Sequence, residues 1–451
     1  MDRRYYAKRI LKIAVPLVIS NIIMQLQMVI DRIFLGKLGD YYMTAIGNVG
    51  TPVWTTMSVV FMLSVGASIL ISQSVGAGDH ERAEKFSAAL IKWHNLPSVF
   101  LFFFWLLAGE KVFGLLGVSD TVMPLCMGYL RFYIPIFLIT GFSSGVTVVM
   151  QTSNYTSPLI WYGVIRSGVN IILDWALIFG HLGLPAMGIE GAALATTIAE
   201  YLGGVFILVI YIVSRKLPTR PSWKKVLKAS PKYYLKSVKL GIPASLEDFC
   251  FNLGSLAVIR ILNSISDKAA GIYTMVFNVE IIAIVAIAAV GNATLTLTGE
   301  ATGKKDGKMY ARIISLSYLM TLAVTVLLLI SCFAFPETLL GLFTNDETTV
   351  SSSIVLLYMM AVNMFSKAGN IIIGNGIRGS GNTRWMLMTQ LLGTVLIIGI
   401  AACMVYGFKL GITGVFIAVL TDEFTRCMIN LAKERRIVSN FAASEVSEVS
   451  E

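Results

Sequence analysis

The sequence predicts an all-α membrane protein with twelve transmembrane helices, arranged as two parallel-repeat six-helix bundles around a central cleft. Its 451 residues are 56% hydrophobic and only 14% charged, whereas soluble globular proteins carry about 25% charged residues. Long apolar stretches also recur from end to end, and the two halves of the chain match each other. This composition excludes a soluble enzyme, a secreted disulfide scaffold and a disordered protein.

The apolar stretches have the length of membrane-spanning helices. A helix needs about 20 mostly apolar residues to cross a bilayer. Twelve stretches between polar, glycine or proline breaks are of this order: 10–35, 43–75, 90–108, 122–149, 158–180, 189–213, 238–263, 270–299, 312–333, 349–377, 385–406 and 411–432. The short segments of alternating polarity that indicate a membrane β-barrel are missing from the sequence.

The net charge of +10 follows the predicted loops. Of the 36 Lys and Arg residues, 27 lie in loops on one side of the spans and only four on the other: Lys37, Lys111, Lys268 and Lys409. Cytoplasmic loops carry an excess of Lys and Arg. The asymmetry therefore predicts a multi-pass protein of the cell (inner) membrane with both termini in the cytoplasm. The basic residues reflect the orientation of the chain in the membrane, with some attraction to anionic lipid. We therefore expect no nucleic-acid partner.

The two halves of the chain repeat one pattern. A basic stretch at 215–239, with nine Lys and Arg and no acid, separates six spans from six. Equivalent pairs follow in order: Lys12 and Lys239, Pro16 and Pro243, Gly66 and Gly291, Gly78 and Gly303, Gly188 and Gly411, Gly191 and Gly414, and Glu200 and Glu423. Both copies enter from the same side, so the repeat is parallel. The predicted domains are an N-lobe (1–214), a basic cytoplasmic linker (215–237), a C-lobe (238–433) and a cytoplasmic tail (434–451).

The sequence contains no motif for cofactor or enzyme chemistry. Nothing in it resembles a Walker loop, a metal-ligand cluster or a nucleophile elbow. We therefore expect no enzyme activity, no catalytic residues and no cofactor. Two similar bundles that rock about a cleft provide alternating access, and an ion gradient is a simpler energy source than ATP, which would require another subunit.

Several motifs resemble those of multidrug and toxic compound extrusion (MATE) transporters. They are Ala14 and Pro16 with IDRIFLGKLG at 30–39, GAGD at 76–79, Asn170 and Asp174 with MGIEGAALAT at 187–196, and RGSGNT at 378–383. The resemblance implies two six-helix lobes that export amphipathic, often cationic organic compounds in exchange for inward H+ or Na+. It also implies small organic substrates and membrane lipid as partners, and we expect a monomeric transporter.

Asp31 is the first candidate site residue. A charged carboxylate at mid-bilayer costs about 3 kcal/mol, so each acid within a span requires an explanation. Met24, Gln27 and Met28 precede Asp31 by seven, four and three residues and share its helix face. Thioethers adapt to varied apolar shapes, so this face predicts a substrate cavity for aromatic cations. Asn21 is assigned to the same cavity. Asp31 could instead pair with its neighbour Arg32, but adjacent helical residues point apart.

Ser167, Asn170 and Asp174 form a polar stripe on the fifth span. This stripe could carry a carboxylate–amide network or ligate Na+ through oxygen atoms, or Asp174 could cap the helix end. The resemblance implies that Asp174 and Asn170 join Asp31 in a cation-coupling site of the N-lobe, with Ser167 beside them. Neighbouring buried carboxyl groups would then hold a proton, or Asp31, Asp174 and Asn170 would be the metal ligands if the ion is Na+.

Three residues of the second half complete the predicted substrate cavity: Glu247, Glu280 and Lys367. Glu247 follows Pro243 in the seventh span, and Glu280 lies in the eighth. The resemblance implies that some branches of the family bind cations through glutamates in these two spans. Lys367 lies eleven residues before Arg378, where the NorM-like branch carries an acid. A protonated lysine cannot ligate Na+, so a C-lobe cation site of that type is not expected. Lys367 either pairs with a carboxylate or attracts an anionic substrate.

Two other functions stay open at the level of sequence. One is a flippase for lipid-linked saccharides of the same superfamily architecture, although such relatives carry more basic residues in the cavity. The bases within spans are Arg32, Arg131, Arg166, Arg260 and Lys367. The other is a membrane enzyme or receptor, which the repeat argues against. Glu200 and Glu423, at equivalent positions, predict a shared structural role such as a hydrogen bond to a neighbouring helix.

Overall fold

The computed structural model describes residues 3–214, 217, 219–266, 268–344 and 346–450, without the side chains of residues 40 and 444–450. The regular secondary structure of these residues is entirely helical, and no strand occurs among them. The predicted all-α class is therefore confirmed. Residues 215, 216 and 218 of the predicted linker lie outside the described residues.

The first half of the chain forms eight helices in its described part. They are α1 (Arg3–Gly36), α2 (Asp40–Gly76), α3 (His80–Trp93), α4 (Asn95–Leu115), α5 (Met123–Tyr133), α6 (Phe137–Thr152), α7 (Ser157–Phe179) and α8 (Ile189–Val213). A 3-10 turn, Ile134–Ile136, divides α5 from α6. It contains Pro135, which has no backbone donor and interrupts an α-helix.

The second half again consists of helices. They are α9 (Trp223–Leu227), α10 (Pro231–Asn263), α11 (Ala269–Gly303), α12 (Gly307–Ala334), α13 (Pro336–Gly341), α14 (Glu347–Gly379), α15 (Thr383–Ala402) and α16 (Gly411–Ser450). A π-turn, Cys403–Gly407, extends α15. Helix α9 and the start of α10 lie in the stretch predicted as a linker, and α16 continues through most of the stretch predicted as a tail.

Long apolar helices make this chain a multi-pass membrane protein. Eleven helical segments of the described chain are long and apolar enough to cross a membrane, by length and composition. Helix α3 joins α4, and α5 joins α6, in two of these segments. Helix α16 corresponds to the twelfth predicted span, and its apolar first part carries Asp422, Glu423 and Arg426.

The two repeats begin a helix in the same way. Asp79 caps α3 and Asp306 caps α12, and each side chain accepts a hydrogen bond from the backbone N–H three residues later. The residues just before them, Gly78 and Lys305, both have a positive φ, of 74° and 56°. Gly78 thus corresponds to Lys305. The match of Gly78 with Gly303 is wrong by two residues, because it aligned glycine identity rather than helix ends.

The described chain divides into two compact units. Unit 1 comprises Met1–Ala14, Ser72–Gly78 and Leu246–Glu451, and unit 2 comprises Val15–Ile71 and Asp79–Ser245. Unit 2 contains an apolar core that includes Trp105, Phe113 and Phe137. Unit 1 contains a core that includes Met360 and Phe416. The boundaries of the sequence-based lobes stay a prediction.

Candidate functional site

Asp31 and Gln27 lie one turn apart on α1, in unit 2. Gln27 is buried, with 5% of its surface exposed, and its Nε2 donates a hydrogen bond to Asp31 Oδ2 at 3.4 Å. The spacing of four residues places both side chains on one helix face. The predicted association of these two residues is therefore present.

Ser167, Asn170 and Asp174 form one buried face of α7. Their exposed fractions are 2%, 0% and 0%, and their spacing of three and four residues aligns them along the helix. The helix ends beyond them at Gly180, whose N–H donates to the carbonyl of Ala176. A backbone hydrogen bond therefore caps this end of α7, and the Asp174 side chain is not needed as a helix cap.

A close approach of α7 to α1 brings the two polar faces together. Ser167 Oγ donates to Gln27 Oε1 at 2.9 Å. One turn earlier, Gly163 of α7 lies against Ser20 of α1, where an added Cβ would be 2.7 Å from the serine hydroxyl. A side chain at position 163 would push the helices apart, so this glycine permits the approach.

The amide of Asn170 bridges the two acids. When the amide nitrogen is assigned to face the carboxyl groups, it donates to Asp31 Oδ1 at 3.0 Å and to Asp174 Oδ2 at 3.2 Å, and it also lies 2.6 Å from Gln27 Nε2. The amide oxygen then accepts from the backbone N–H of Thr196 on α8 at 3.3 Å. Three helices therefore fix the position of this amide and, through it, the separation of the acids.

Asp31 and Asp174 form an acid pair without a basic partner. The Asn170 amide lies within hydrogen-bond distance of both carboxyl groups, and neither acid makes a salt bridge with any residue that the structure describes. Asp174 Oδ1 is buried and lacks a hydrogen-bond partner within the described ranges. Two adjacent negative charges repel strongly in a low-dielectric interior. A bound proton or another cation would reduce this repulsion.

The nearest base on α7 already has a partner. Arg166 Nη1 contacts Glu200 Oε2 of α8 at 2.9 Å, and Tyr162 Oη donates to the other oxygen of Glu200. The predicted hydrogen bond of Glu200 to a neighbouring helix is thus confirmed. The salt-bridge partner of Arg166 is therefore Glu200 rather than Asp31 or Asp174.

The other first-helix residues of the predicted cavity are less closely tied to the acids. Asn21 and Met24 are half-buried, and Met28 is 48% exposed. Among the described side chains of the predicted first-helix cavity, the hydrogen bond to Asp31 comes from Gln27. Their assignment to a substrate cavity stays a prediction.

The predicted acids of the second half have basic partners in unit 1. Arg378 Nη2 contacts Glu247 Oε1 at 2.5 Å, and Lys367 Nζ contacts Glu280 Oε2 at 2.7 Å. Of the two possibilities for Lys367, the structure therefore has the pairing with a carboxylate. These ion pairs differ from the acid pair of unit 2, because each negative charge is matched.

Sequence reasoning missed a charged network around Arg426 in unit 1. The guanidinium contacts both oxygens of Asp422 at 2.9 Å, Glu423 at 3.1 Å and Gln390 at 3.0 Å. Asn370 Nδ2 donates to Glu423 Oε2 at 2.6 Å, which confirms the predicted bond of Glu423 to a neighbouring helix. The signal was present, since acids three and four residues before an arginine share its helix face.

The acid pair consists of hard oxygen donors. Carboxylate oxygens bind H+ or hard metal ions rather than soft metals. Within the described ranges, no group of three or more His, Cys, Asp or Glu could hold a metal ion. Asp31 and Asp174 both lie in helices that are long and apolar enough to cross a membrane.

The long apolar helices place this chain in the class of multi-pass membrane proteins. The model of the MatE family matches the chain once in each half, at residues 16–176 and 243–404. The chain therefore belongs to the MatE family of transporters. This result confirms the family resemblance and, by matching twice, the internal repeat.

Individual relatives agree with the family. The chain is 27% identical over 94% of its length to "Probable multidrug resistance protein NorM" of Thermotoga maritima, 91% of which is covered. It is 22% identical over 92% of its length to "Multidrug export protein MepA" of Staphylococcus saprophyticus, 90% of which is covered. A solved outward-facing MATE family transporter of the MOP superfamily superposes with a TM-score of 0.90 at 20% identity, covering 97% and 96% of the two chains. That last likeness shows a shared fold.

Proposed function

We propose that this protein is a secondary active antiporter that exports amphipathic, often cationic organic compounds in exchange for inward H+. It lies in the cell (inner) membrane with both termini in the cytoplasm, and rocking of two bundles gives alternating access. The acid pair of Asp31 and Asp174 carries the proposal. A buried pair that needs a bound cation provides the exchangeable charge of an antiporter.

The composition of the acid pair favours H+ over Na+ as the coupling ion. Among the described residues, no third His, Cys, Asp or Glu joins Asp31 and Asp174 in a group that could hold a metal ion. A single proton needs only these two acids, because a protonated carboxyl donates to its neighbour.

The names of relatives support organic compounds as substrates. The relatives from Thermotoga maritima and Staphylococcus saprophyticus are a probable multidrug resistance protein and a multidrug export protein. Export of an amphipathic cation against inward H+ fits an acid pair that has no salt-bridge partner among the described residues. A flippase is less well supported, because Arg166 and Lys367 have carboxylate partners and are not free to bind a lipid phosphate.

The stoichiometry decides which driving force operates. A proton that moves inward through 100 mV releases about 2.3 kcal/mol, which sustains roughly a 40-fold gradient of a neutral substrate. Exchange of one proton for one monovalent cation moves no net charge. Such exchange uses only the pH gradient, about 1.4 kcal/mol per pH unit.

Ion-driven efflux from proteoliposomes tests the proposal. Ethidium efflux is measured in response to a pH gradient, a sodium gradient or a membrane potential, each imposed alone. We expect efflux that responds to pH but not to sodium, and its loss in Asp31→Asn and Asp174→Asn. Asp120→Asn, which removes an exposed carboxylate outside the helices, is the matched control. Coupled efflux of wild-type rate in both site variants would refute the role of the acid pair.

A further inference from the structure

Arg166, Glu200 and Tyr162 form a buried charged group between α7 and α8, in unit 2. Arg166 Nη1 contacts Glu200 Oε2 at 2.9 Å, and the two side chains are 18% and 9% exposed. Tyr162 Oη donates to Glu200 Oε1 at 2.5 Å, so both oxygens of this carboxylate have a partner. A buried ion pair is by itself weak evidence of a contribution to stability. The place of this group in the fold therefore requires another explanation.

The ion pair lies one helical turn from the amide that contacts both acids. On α7, Arg166 precedes Asn170 by four residues. On α8, Glu200 follows Thr196 by four residues. Residues four apart share a helix face, and the Asn170 side chain contacts the Thr196 hydroxyl at 3.3 Å. The two helices therefore meet at two successive turns, once through these polar side chains and once through the ion pair.

A glycine provides the space for the charged group. Gly203 lies three residues after Glu200 on α8, and an added Cβ would be 2.7 Å from Cε2 of Tyr162. A side chain at this position would displace the tyrosine ring. The centroid of that ring lies 5.9 Å from the guanidinium carbon of Arg166, which is within the range of a cation–π contact. Packing and hydrogen bonds therefore both hold the guanidinium at Glu200.

The charge of Arg166 also acts on Asp31. Glu200 contacts the guanidinium, whereas Asp31 lies in its electrostatic field without a salt bridge to it. Two phenols of α5 face these charges: Tyr133 faces the ion pair, and Tyr129 faces the acid pair. A phenol supplies no positive charge. A change in the position of Arg166 would therefore change the charge balance of the acid pair.

We propose that Glu200 and Tyr162 are positioning residues that hold Arg166 away from the acid pair, which therefore stays able to bind the coupling proton. A buried guanidinium without its carboxylate is costly, so the loss of Glu200 would transfer Arg166 to Asp31. A cation beside Asp31 favours its charged form, and the pair would then bind a proton only at lower pH. The inference rests on the proposed function, because it assigns the residues that tune its proton site.

Proton uptake by the purified full-length protein tests this role without requiring transport. The protein is titrated in weakly buffered detergent solution that contains an indicator dye. Uptake by the acid pair is the part that Asp31→Asn/Asp174→Asn removes in each background, and its midpoint pH is the measured quantity. The same variants are then compared for pH-driven ethidium efflux from proteoliposomes.

The charges predict opposite shifts for the two members of the ion pair. Glu200→Gln should lower the midpoint by about one to three pH units, because Arg166 turns to Asp31. Tyr162→Phe, which removes the other hydrogen bond to Glu200, should lower it by less. Arg166→Gln should raise the midpoint, because Glu200 keeps its negative charge near the acids. The double variant Glu200→Gln/Arg166→Gln removes both charges and should return the midpoint to the wild-type value.

Glu423→Gln is the matched control. Glu423 occupies the position equivalent to Glu200 in the repeat, is also buried and also contacts an arginine, Arg426, at 3.1 Å. It lies in unit 1, whereas the acid pair lies in unit 2. Its replacement should therefore leave the midpoint of the acid pair at the wild-type value.

Two results would overturn the positioning role. One is a wild-type midpoint in both Glu200→Gln and Tyr162→Phe. The other is a lowered midpoint in Glu200→Gln that the added replacement of Arg166 does not restore, as a purely structural role would give. If Glu200→Gln does not fold, Tyr162→Phe decides alone. A wild-type protein without any proton uptake that depends on Asp31 and Asp174 would instead refute the proposed function and, with it, this inference.

Discussion

Gly76 ends α2 and Gly303 ends α11, and each glycine packs against the backbone of the other helix. An added Cβ at Gly76 would collide with the carbonyl oxygen of Glu300, and one at Gly303 with that of Gln73. The two contacts are equivalent by the internal repeat, and all four residues belong to unit 1. The helix ends can therefore approach only because both positions lack a side chain.

Gly76→Ala and Gly303→Ala should each destabilise the protein by about 1 to 3 kcal/mol, because a methyl group has no space against a backbone carbonyl. Thermal unfolding of the purified protein in detergent measures the change. Gly47→Ala is the matched control, since that helical glycine has no atom within 4 Å of an added Cβ. Equal unfolding temperatures for all three variants would contradict the close approach.

Asn170→Asp should convert the acid pair into a Na+ site. The variant places a third carboxyl group where the amide now donates to Asp31 and Asp174, and clustered carboxylate oxygens bind hard cations. We expect pH-driven ethidium efflux to fall at least tenfold and sodium-driven efflux to appear. Proteoliposomes with separately imposed gradients measure both rates. Asn440→Asp, on an exposed part of α16, should behave as wild type, and sodium independence of Asn170→Asp would refute the assignment.

Arg378→Gln should destabilise unit 1 through Glu247. Glu247 is 8% exposed and would keep a buried charge without its partner, which costs on the order of 3 kcal/mol. The double variant Glu247→Gln/Arg378→Gln should recover most of this loss, because it removes both charges. A double-mutant cycle, measured by thermal unfolding, gives the interaction free energy between Glu247 and Arg378. Lys225→Gln, which breaks the exposed pair with Glu84, should change stability by less than about 1 kcal/mol.

The helix cap at Asp346 should make stability depend on acidic pH. Side-chain hydrogen bonds from Thr348 at 2.6 Å and Thr349 at 2.7 Å, and then one from Lys268, hold the pKa of this carboxyl well below its ordinary value. A lowered pKa stabilises the folded state above the unfolded value, about 3.9, and this contribution is lost as the pH falls through the folded pKa.

The unfolding temperatures of wild type and Asp346→Asn from pH 6 to pH 3 test this cap. The wild type should be the more stable near pH 6, and the difference should shrink as the solution becomes more acidic. A difference that stays constant over this range would show that the charge of Asp346 contributes nothing.

Much of the candidate site was predictable from spacing within single helices. Gln27 lies four residues before Asp31, and Ser167, Asn170 and Asp174 share one face of α7, because helical periodicity decides which residues of a helix are neighbours. The Arg426 network could have been found by the same rule. The partner of Lys367 could not, since Glu280 is 87 residues away and no local pattern relates them.

The sequence by itself determined a duplicated set of long apolar helices, the acids within them and the family to which they belong, because hydrophobic length and helical period are local properties of a chain. Only the tertiary structure decided which acids lie together without a salt-bridge partner and which acids form an ion pair with a Lys or Arg. That outcome depends on which helix faces meet. Packing between distant segments, such as the approach of Gly163 on α7 to Ser20 on α1, sets those faces.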